Sequence, residues 1–319
     1  MSKVDQTEGT FWSPGGIRYF DLADRVTGDI RRVFLWTPPG DAPEDGWPAL
    51  WLLDGNAVIA TAVDAMRAQA FWPTGTNLGW GALVAVGYPT DDAYDSFRRS
   101  WDLGPPPGRT YPPFHDGGDA VRTGGGAEMA RFLLEDALEF LGTHIRLDPA
   151  NQSLFGHSFG GLFALWMMFT RADAFRNIIA ASPAITWEDS FLLSYLDGFD
   201  PTGAAPRVML LAGEWEGDRL APFQENGPER DARLAEKART RTIAAAREMA
   251  ESLTQKGCEV SYETCAQETH MSILPVAVNR ALHWAFALDR GALTLWPAPA
   301  NEDTAIAEAA AAKEKSNAT

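Results

Sequence analysis

The segment Gly156-His157-Ser158-Phe159-Gly160 stands between the apolar run Gln152-Ser153-Leu154-Phe155 and the helical run Leu162-Phe163-Ala164-Leu165-Trp166-Met167-Met168. A Gly-x-Ser-x-Gly pentapeptide alone carries little weight. Placed between a strand and a helix, it predicts a nucleophile elbow. Ser158 then sits on a strained turn that lifts its Oγ clear of the sheet. Gly156 and Gly160 are bare so that neighbouring backbone can approach, and Gly161 lets the helix start close to the strand.

The rest of the chain agrees. Apolar β-rich runs recur at residues 17–20, 32–36, 49–53, 82–86, 152–155, 177–182, 207–213 and 259–263, with helical segments between most of them. The first two read as an antiparallel pair joined through Val26-Thr27-Gly28-Asp29. Continuous apolar strands alternating with helices predict an α/β fold whose sheet is covered on both faces. About eight strands, with the elbow after the fifth, match the α/β-hydrolase layout. Helices are expected at 57–70, 127–145, 230–256 and 275–288. Residues 1–300 are read as one domain, with a pocket-forming insertion at about 91–123. Residues 301–319 are read as a frayed helix or disordered tail.

Composition narrows the function. The 319 residues carry 27 basic and 43 acidic side chains, a net charge of −16, which excludes a nucleic-acid partner and long-range steering of a strongly anionic substrate. No apolar run approaches membrane-spanning length and the N-terminus lacks a secretory pattern, so no membrane partner and a cytoplasmic location are expected. The two cysteines, Cys258 and Cys265, fit no metal or redox spacing and read as buried thiols.

A serine hydroxyl needs a base within hydrogen-bond reach, and in this fold the order is Ser, acid, His. Of five histidines, His115 and His144 precede Ser158, and His157 is the elbow's own variable position. His283 falls inside the last helix pattern, where it packs. His270, in the loop after the last strand, is the expected base. The acid should follow the seventh strand, in Gly213-Glu214-Trp215-Glu216-Gly217-Asp218. Glu216 is preferred, with Glu214 and Asp218 as alternatives. Two backbone N–H donors are needed for the oxyanion. They are expected from Phe159, after the nucleophile, and from Asn56, in the loop after the third strand. No cofactor or metal is needed for this chemistry.

Several stretches carry a family likeness: Leu52-Leu53-Asp54-Gly55-Asn56-Ala57-Val58, Val86-Gly87-Tyr88, Arg98-Arg99-Ser100-Trp101-Asp102-Leu103, Gly124-Gly125-Gly126-Ala127, the elbow from Leu154 to Leu165, Ala181-Ser182-Pro183-Ala184, and His270 with Arg280-Ala281-Leu282. On these the chain resembles the putative esterase family of α/β-hydrolases, and within it the siderophore esterases that open enterobactin and salmochelin trilactones. The resemblance implies a serine nucleophile, a histidine base and a two-amide oxyanion hole, carried onto Ser158, His270, Phe159 and Asn56. Some members manage with a weakly placed acid or none, which leaves a dyad open beside Glu216.

The implied activity is hydrolysis of a siderophore or ferric siderophore ester, releasing iron inside the cell, with any iron arriving as part of the substrate. Arg98, Arg99, Trp101 and Tyr88 are the expected substrate contacts, and Trp72, Trp80 and Trp187 lie in or beside predicted loops on the same edge. The arginines could equally pair with Asp95 or Asp102. This chain has Asp102-Leu103-Gly104-Pro105 where relatives read Asp-x-Thr-Pro. A charge of −16 fits a near-neutral ferric hydroxamate, or an unrelated small ester, at least as well as a tricatecholate. Another carboxylesterase, a feruloyl- or thioesterase, an acyltransferase, or an inactive hydrolase fold that binds a ligand are the alternatives.

Overall fold

Strand Trp47–Leu53 shows how this sequence builds its core. Ala49, Trp51 and Leu53 point to one face and Leu50 and Leu52 to the other, and all five are buried. Side chains alternate along a strand, so a run apolar at every position demands cover on both faces. In this computed structural model, which describes residues 7–10, 16–113, 116–201 and 205–292, helices supply that cover. Helices Phe159–Thr170 and Thr242–Gln255, with the helical stretch 126–142, pack on one face. Helices Gly55–Ala70 and Ile273–Phe286 pack on the other.

The strands are β1 (Thr7–Thr10), β2 (Arg18–Ala23), β3 (Ile30–Trp36), β4 (Trp47–Leu53), β5 (Ala82–Gly87), β6 (Thr110–Tyr111), β7 (Val121–Arg122), β8 (Leu147–His157), β9 (Asn177–Ala181), β10 (Arg207–Gly213) and β11 (Glu259–Cys265). Nine of them form one sheet in the order β1-β2-β3-β5-β4-β8-β9-β10-β11. From β5 to β11 the neighbours are parallel, while β1, β2 and β3 add an antiparallel edge. This is the α/β-hydrolase architecture read from the sequence, with β1 as one further edge strand. The parallel strands all point their carboxyl ends to one edge, where such sheets place their sites.

Details differ from expectation in instructive ways. The charged segment 230–256 is two helices, Arg230–Thr240 and Thr242–Gln255, broken at Arg241, whose φ of 47° lies in the left-handed region. The segment 91–123, read as an insertion, contains helix Ser96–Asp102 and the β6–β7 ribbon. Arg31, fully buried, pins that helix to β3 by donating to Asp102 and Asp24; Arg131 extends the chain of charges from Asp24 to Asp136. Buried charges persist only when paired in this way. Cys258 and Cys265 are buried free thiols. His115 and the tail 301–319 lie outside the described residues. Among the described residues no helix is long and apolar enough to cross a membrane.

Candidate active site

β8 runs directly into helix Phe159–Thr170, and Ser158 is the hinge, at φ 58° and ψ −114°. Its N–H donates to the Ala181 carbonyl at the end of β9 (2.9 Å), tying the turn to the sheet. A β-carbon at Gly156 would run into the Gly160 carbonyl, so the elbow cannot close with any other residue there. At Gly161 it would stand 3.0 Å from the Pro183 Cα. Gly160 is less demanding, with Leu53 Cβ at an ordinary 3.5 Å.

Two further loops converge on Ser158. After β10 the chain makes one tight turn, Glu214–Glu216, which folds the Glu216 carboxylate back onto the sheet edge. Its Oε2 accepts the Gly213 N–H at 2.7 Å and the Ser182 hydroxyl. After β11 the loop is closed by Ser272, whose Oγ accepts the Thr269 N–H at 2.8 Å. The Trp215 N–H donates to the Glu268 carbonyl at 2.8 Å, lacing the two loops together.

The result is a line of three side chains. The Ser158 hydroxyl donates to His270 Nε2 at 2.9 Å, and His270 Nδ1–H donates to Glu216 Oε1 at 2.6 Å. A carboxylate only accepts, so the proton sits on Nδ1 and Nε2 faces Ser158 as an acceptor. Burial pushes the Glu216 carboxyl up. The hydrogen bond from His270, with those from Ser182 and the Gly213 N–H, outweighs it and holds the group below its ordinary value. The alternatives lie elsewhere: Glu214 accepts the Gln267 N–H at 2.7 Å, and Asp218 is exposed.

His157 does not face Ser158, as its place in the elbow predicts, but it is not idle. Its Nε2–H donates to the His270 carbonyl at 2.7 Å, and the two rings stand 4.8 Å apart. Burial, with the neighbouring His270, lowers its pKa to about 4, so it is a neutral donor. His283 packs in its helix, bonded to Gln69 at 2.8 Å.

Asn56 and Phe159 both lie in the first turn of a helix, where the amide has no intrahelical acceptor. Asp54 turns the chain into the first helix at φ 55°, and the Asn56 side chain braces it by accepting the Tyr88 N–H at 2.9 Å and donating to the Thr90 carbonyl at 2.8 Å. Phe159 lines the cavity above Ser158; Asn56 does not.

That cavity, about 470 Å³, is not walled by the segment 91–123. Its walls are Trp187, Trp215, Phe223 and Met271, and the helix Arg230–Thr240 crosses over it. Phe159 and Trp187 meet edge to face, with centroids 4.8 Å apart.

None of the four expected substrate contacts lines this cavity. Arg99 forms a two-pronged pair with Asp54 (2.9 Å each), bracing the donor loop. Arg98 donates to the Ile30 carbonyl at 2.5 Å and lies over Tyr88, which is itself buried. Trp101 donates to Glu128 at 3.1 Å and packs on Gly125. Trp80 packs on Trp36 and Trp72 is exposed on another turn, so Trp187 is the one tryptophan of that group at the cavity. Trp215, Lys237 and Arg233 went unread. Trp215 was legible by its place beside the acid, whereas a charged helix with no buried residue gives no sign in the sequence of lining a cavity.

An elbow serine, a histidine from the last strand's loop and a carboxylate on a parallel sheet define an α/β-hydrolase. Residues 25–269 match the family model described as Putative esterase, and the chain belongs to that family. It is an esterase, acting on carboxylic ester bonds. Ferri-bacillibactin esterase BesA of Bacillus subtilis (strain 168) is 31% identical over 272 residues, 84% of this chain and 89% of that protein. Siderophore triacetylfusarinine C esterase of Aspergillus fumigatus is 30% identical over 254 residues, 75% of this chain and 81% of the relative. Siderophore hydrolase EstA from Aspergillus nidulans superposes with a TM-score of 0.71 at 27% identity, covering 84% of this chain and 93% of that one.

Proposed function

We propose that this chain hydrolyses the ester bonds of a siderophore or ferric siderophore through an acyl-enzyme on Ser158. The observation that carries the mechanism is the hydrogen-bonded line Ser158–His270–Glu216, at 2.9 and 2.6 Å, on the floor of an aromatic cavity. The substrate class rests on the names of the relatives, which include both ferri-bacillibactin and triacetylfusarinine C esterases.

Ser158 Oγ attacks the ester carbonyl while its proton passes to His270 Nε2. The carbonyl oxygen becomes an oxyanion held by the amides of Phe159 and Asn56. Glu216 offsets the charge on the imidazolium and fixes its orientation. Collapse of the intermediate breaks the C–O bond, and His270 returns the proton to the departing alcohol. Water, deprotonated by His270, then attacks the acyl-serine, giving the carboxylic acid and free Ser158. The cytoplasm, where a ferric siderophore would give up its iron, is the proposed location.

The test has two parts. A fluorophosphonate probe should label the wild type and not Ser158→Ala, and the variant should lose turnover of p-nitrophenyl butyrate. A panel of catecholate and hydroxamate trilactones, followed by mass spectrometry, should reveal ring opening. Wild-type turnover by Ser158→Ala would sink the mechanism, and an untouched panel would sink the substrate class.

A further inference from the structure

Helix Arg230–Thr240 buries none of its residues and is charged along its length, RDARLAEKART. A helix with no buried residue is not placed for core packing. It nevertheless closes over the cavity that holds Ser158, and its end is fastened there by the Thr186 hydroxyl, which donates to the Thr240 carbonyl at 3.0 Å. What it presents to the cavity therefore bears on what enters.

Arg233 and Lys237, one turn apart and so on one face, both line the cavity. The Lys237 ammonium donates to the Trp215 carbonyl, and among the described residues it has no carboxylate ion-pair partner. Among the described residues the Arg233 side chain is tied only to Glu229, at 2.6 Å, through side chains 46% and 67% exposed, a pair that costs little to release. Of the two carboxylates that line the same space, one is held and the other stands exposed. Glu216 is held by His270, Ser182 and Gly213, and Glu236 lies 4.0 Å from Arg239. Burial lowers the Lys237 pKa; Glu216 and Glu236 favour its charged form and Arg233 opposes it. Three basic side chains, Arg233, Lys237 and Arg239, line the cavity against two acidic ones, a local excess of positive charge on a chain of net charge −16.

We propose that Lys237 and Arg233 form an anion-recognition subsite of the cavity, which selects esters carrying a negative charge close to the scissile bond. Trp187, Trp215 and Phe159 supply an aromatic wall for the group bearing that charge. The ligand chemistry is a carboxylate or an ionised catecholate. A long-range field repels such a substrate, and the subsite compensates at contact distance, where screening is weak. The inference rests on the Ser158 reading for the location of the reacting bond.

The test compares three probes: neutral p-nitrophenyl butyrate, mono-p-nitrophenyl succinate with its carboxylate, and a ferric tricatecholate trilactone. The quantity read is the ratio of kcat/KM for each anionic ester to that for butyrate. Lys237→Gln and Arg233→Gln should each lower this ratio about tenfold, the worth of one charged hydrogen bond, and mainly through KM. Lys237→Arg should retain it. The succinate and tricatecholate arms tell which anion the subsite takes. Arg233→Gln, at a half-exposed position, decides the matter should Lys237→Gln fail to fold. Ratios unchanged in the glutamine variants, while butyrate is still turned over, would overturn the subsite and leave the Ser158 mechanism standing. Wild type inert toward butyrate would instead count against that mechanism.

Discussion

Replacing Glu216 by Gln is nearly isosteric, yet the surroundings dictate a large effect. Glu216 Oε2 receives a main-chain N–H from Gly213 at 2.7 Å, and Oε1 receives His270 Nδ1–H at 2.6 Å. A glutamine can offer an oxygen to only one of them. Setting its NH2 against the Gly213 N–H leaves two buried donors facing each other, at about 1–3 kcal/mol. The peptide cannot turn away, whereas an imidazole can change tautomer and a serine hydroxyl such as Ser182 can rotate. The amide therefore gives its oxygen to Gly213 and its NH2 to His270. His270 Nδ1 becomes the acceptor and Nε2 carries the proton, pointing it at Ser158. A base so arranged cannot take the serine proton. The corresponding Asp→Asn substitution in a serine protease costs ~10⁴ in kcat by this route, or about 5.4 kcal/mol at 1.36 kcal/mol per decade. We expect kcat on p-nitrophenyl butyrate to fall by that order with the fold intact, and ¹⁵N shifts of His270 to report Nε2–H. Glu214→Gln and Asp218→Asn should stay within about twofold of wild type. An E216Q enzyme retaining a tenth of wild-type kcat, or keeping the Nδ1–H tautomer, would refute the reasoning.

Other outcomes follow from neighbouring contacts. His157→Phe removes the donor to the His270 carbonyl; kcat should fall about tenfold with KM little changed, and His157→Gln should recover part of it in steady-state assays. Arg99→Met leaves the buried Asp54 carboxylate unpaired and should cost about 3–5 kcal/mol in urea unfolding, relieved when Asp54→Asn is added. Because the Glu216 pKa is held below its ordinary 4.5, its stabilising contribution is complete above that pH and is lost as pH falls through the folded value. The stability gap between wild type and Glu216→Gln, by urea titration, should accordingly be wide at about pH 7 and narrow progressively as the pH is taken below the ordinary 4.5.

What the sequence made legible was local or fixed by order. The elbow is contiguous, so its strand, glycines and helix are all visible at once. His270 emerges because only five histidines exist and the fold allows a base only after the acid. Glu216 could not be separated from Glu214 and Asp218, since two residues along a tight turn reverse the side-chain direction. Glu214 ends on the Gln267 amide and Glu216 on that of Gly213. The lining of the cavity went unread for a different reason. Arg98 and Arg99 do lie after β5, toward the site's edge, but Asp54 and the Ile30 carbonyl, distant in sequence, claim them first. The cavity is bordered instead by a charged helix after β10, and a charge-rich helix reads as a solvated surface.

The three aligned side chains come from the ends of β8, β10 and β11, with β9 between the first two. Gly213 is paired with Cys265, and Leu211 with Ala181, in continuous parallel register. One residue of slip along a strand is about 3.3 Å, more than either hydrogen bond at Ser158 or His270 can absorb. Turnover is thus a vernier for the sheet: a population whose strands are paired but misregistered would keep its circular dichroism and hydrolyse nothing. Recovery of activity during refolding should therefore lag recovery of secondary structure, timing the moment at which β10 and β11 lock.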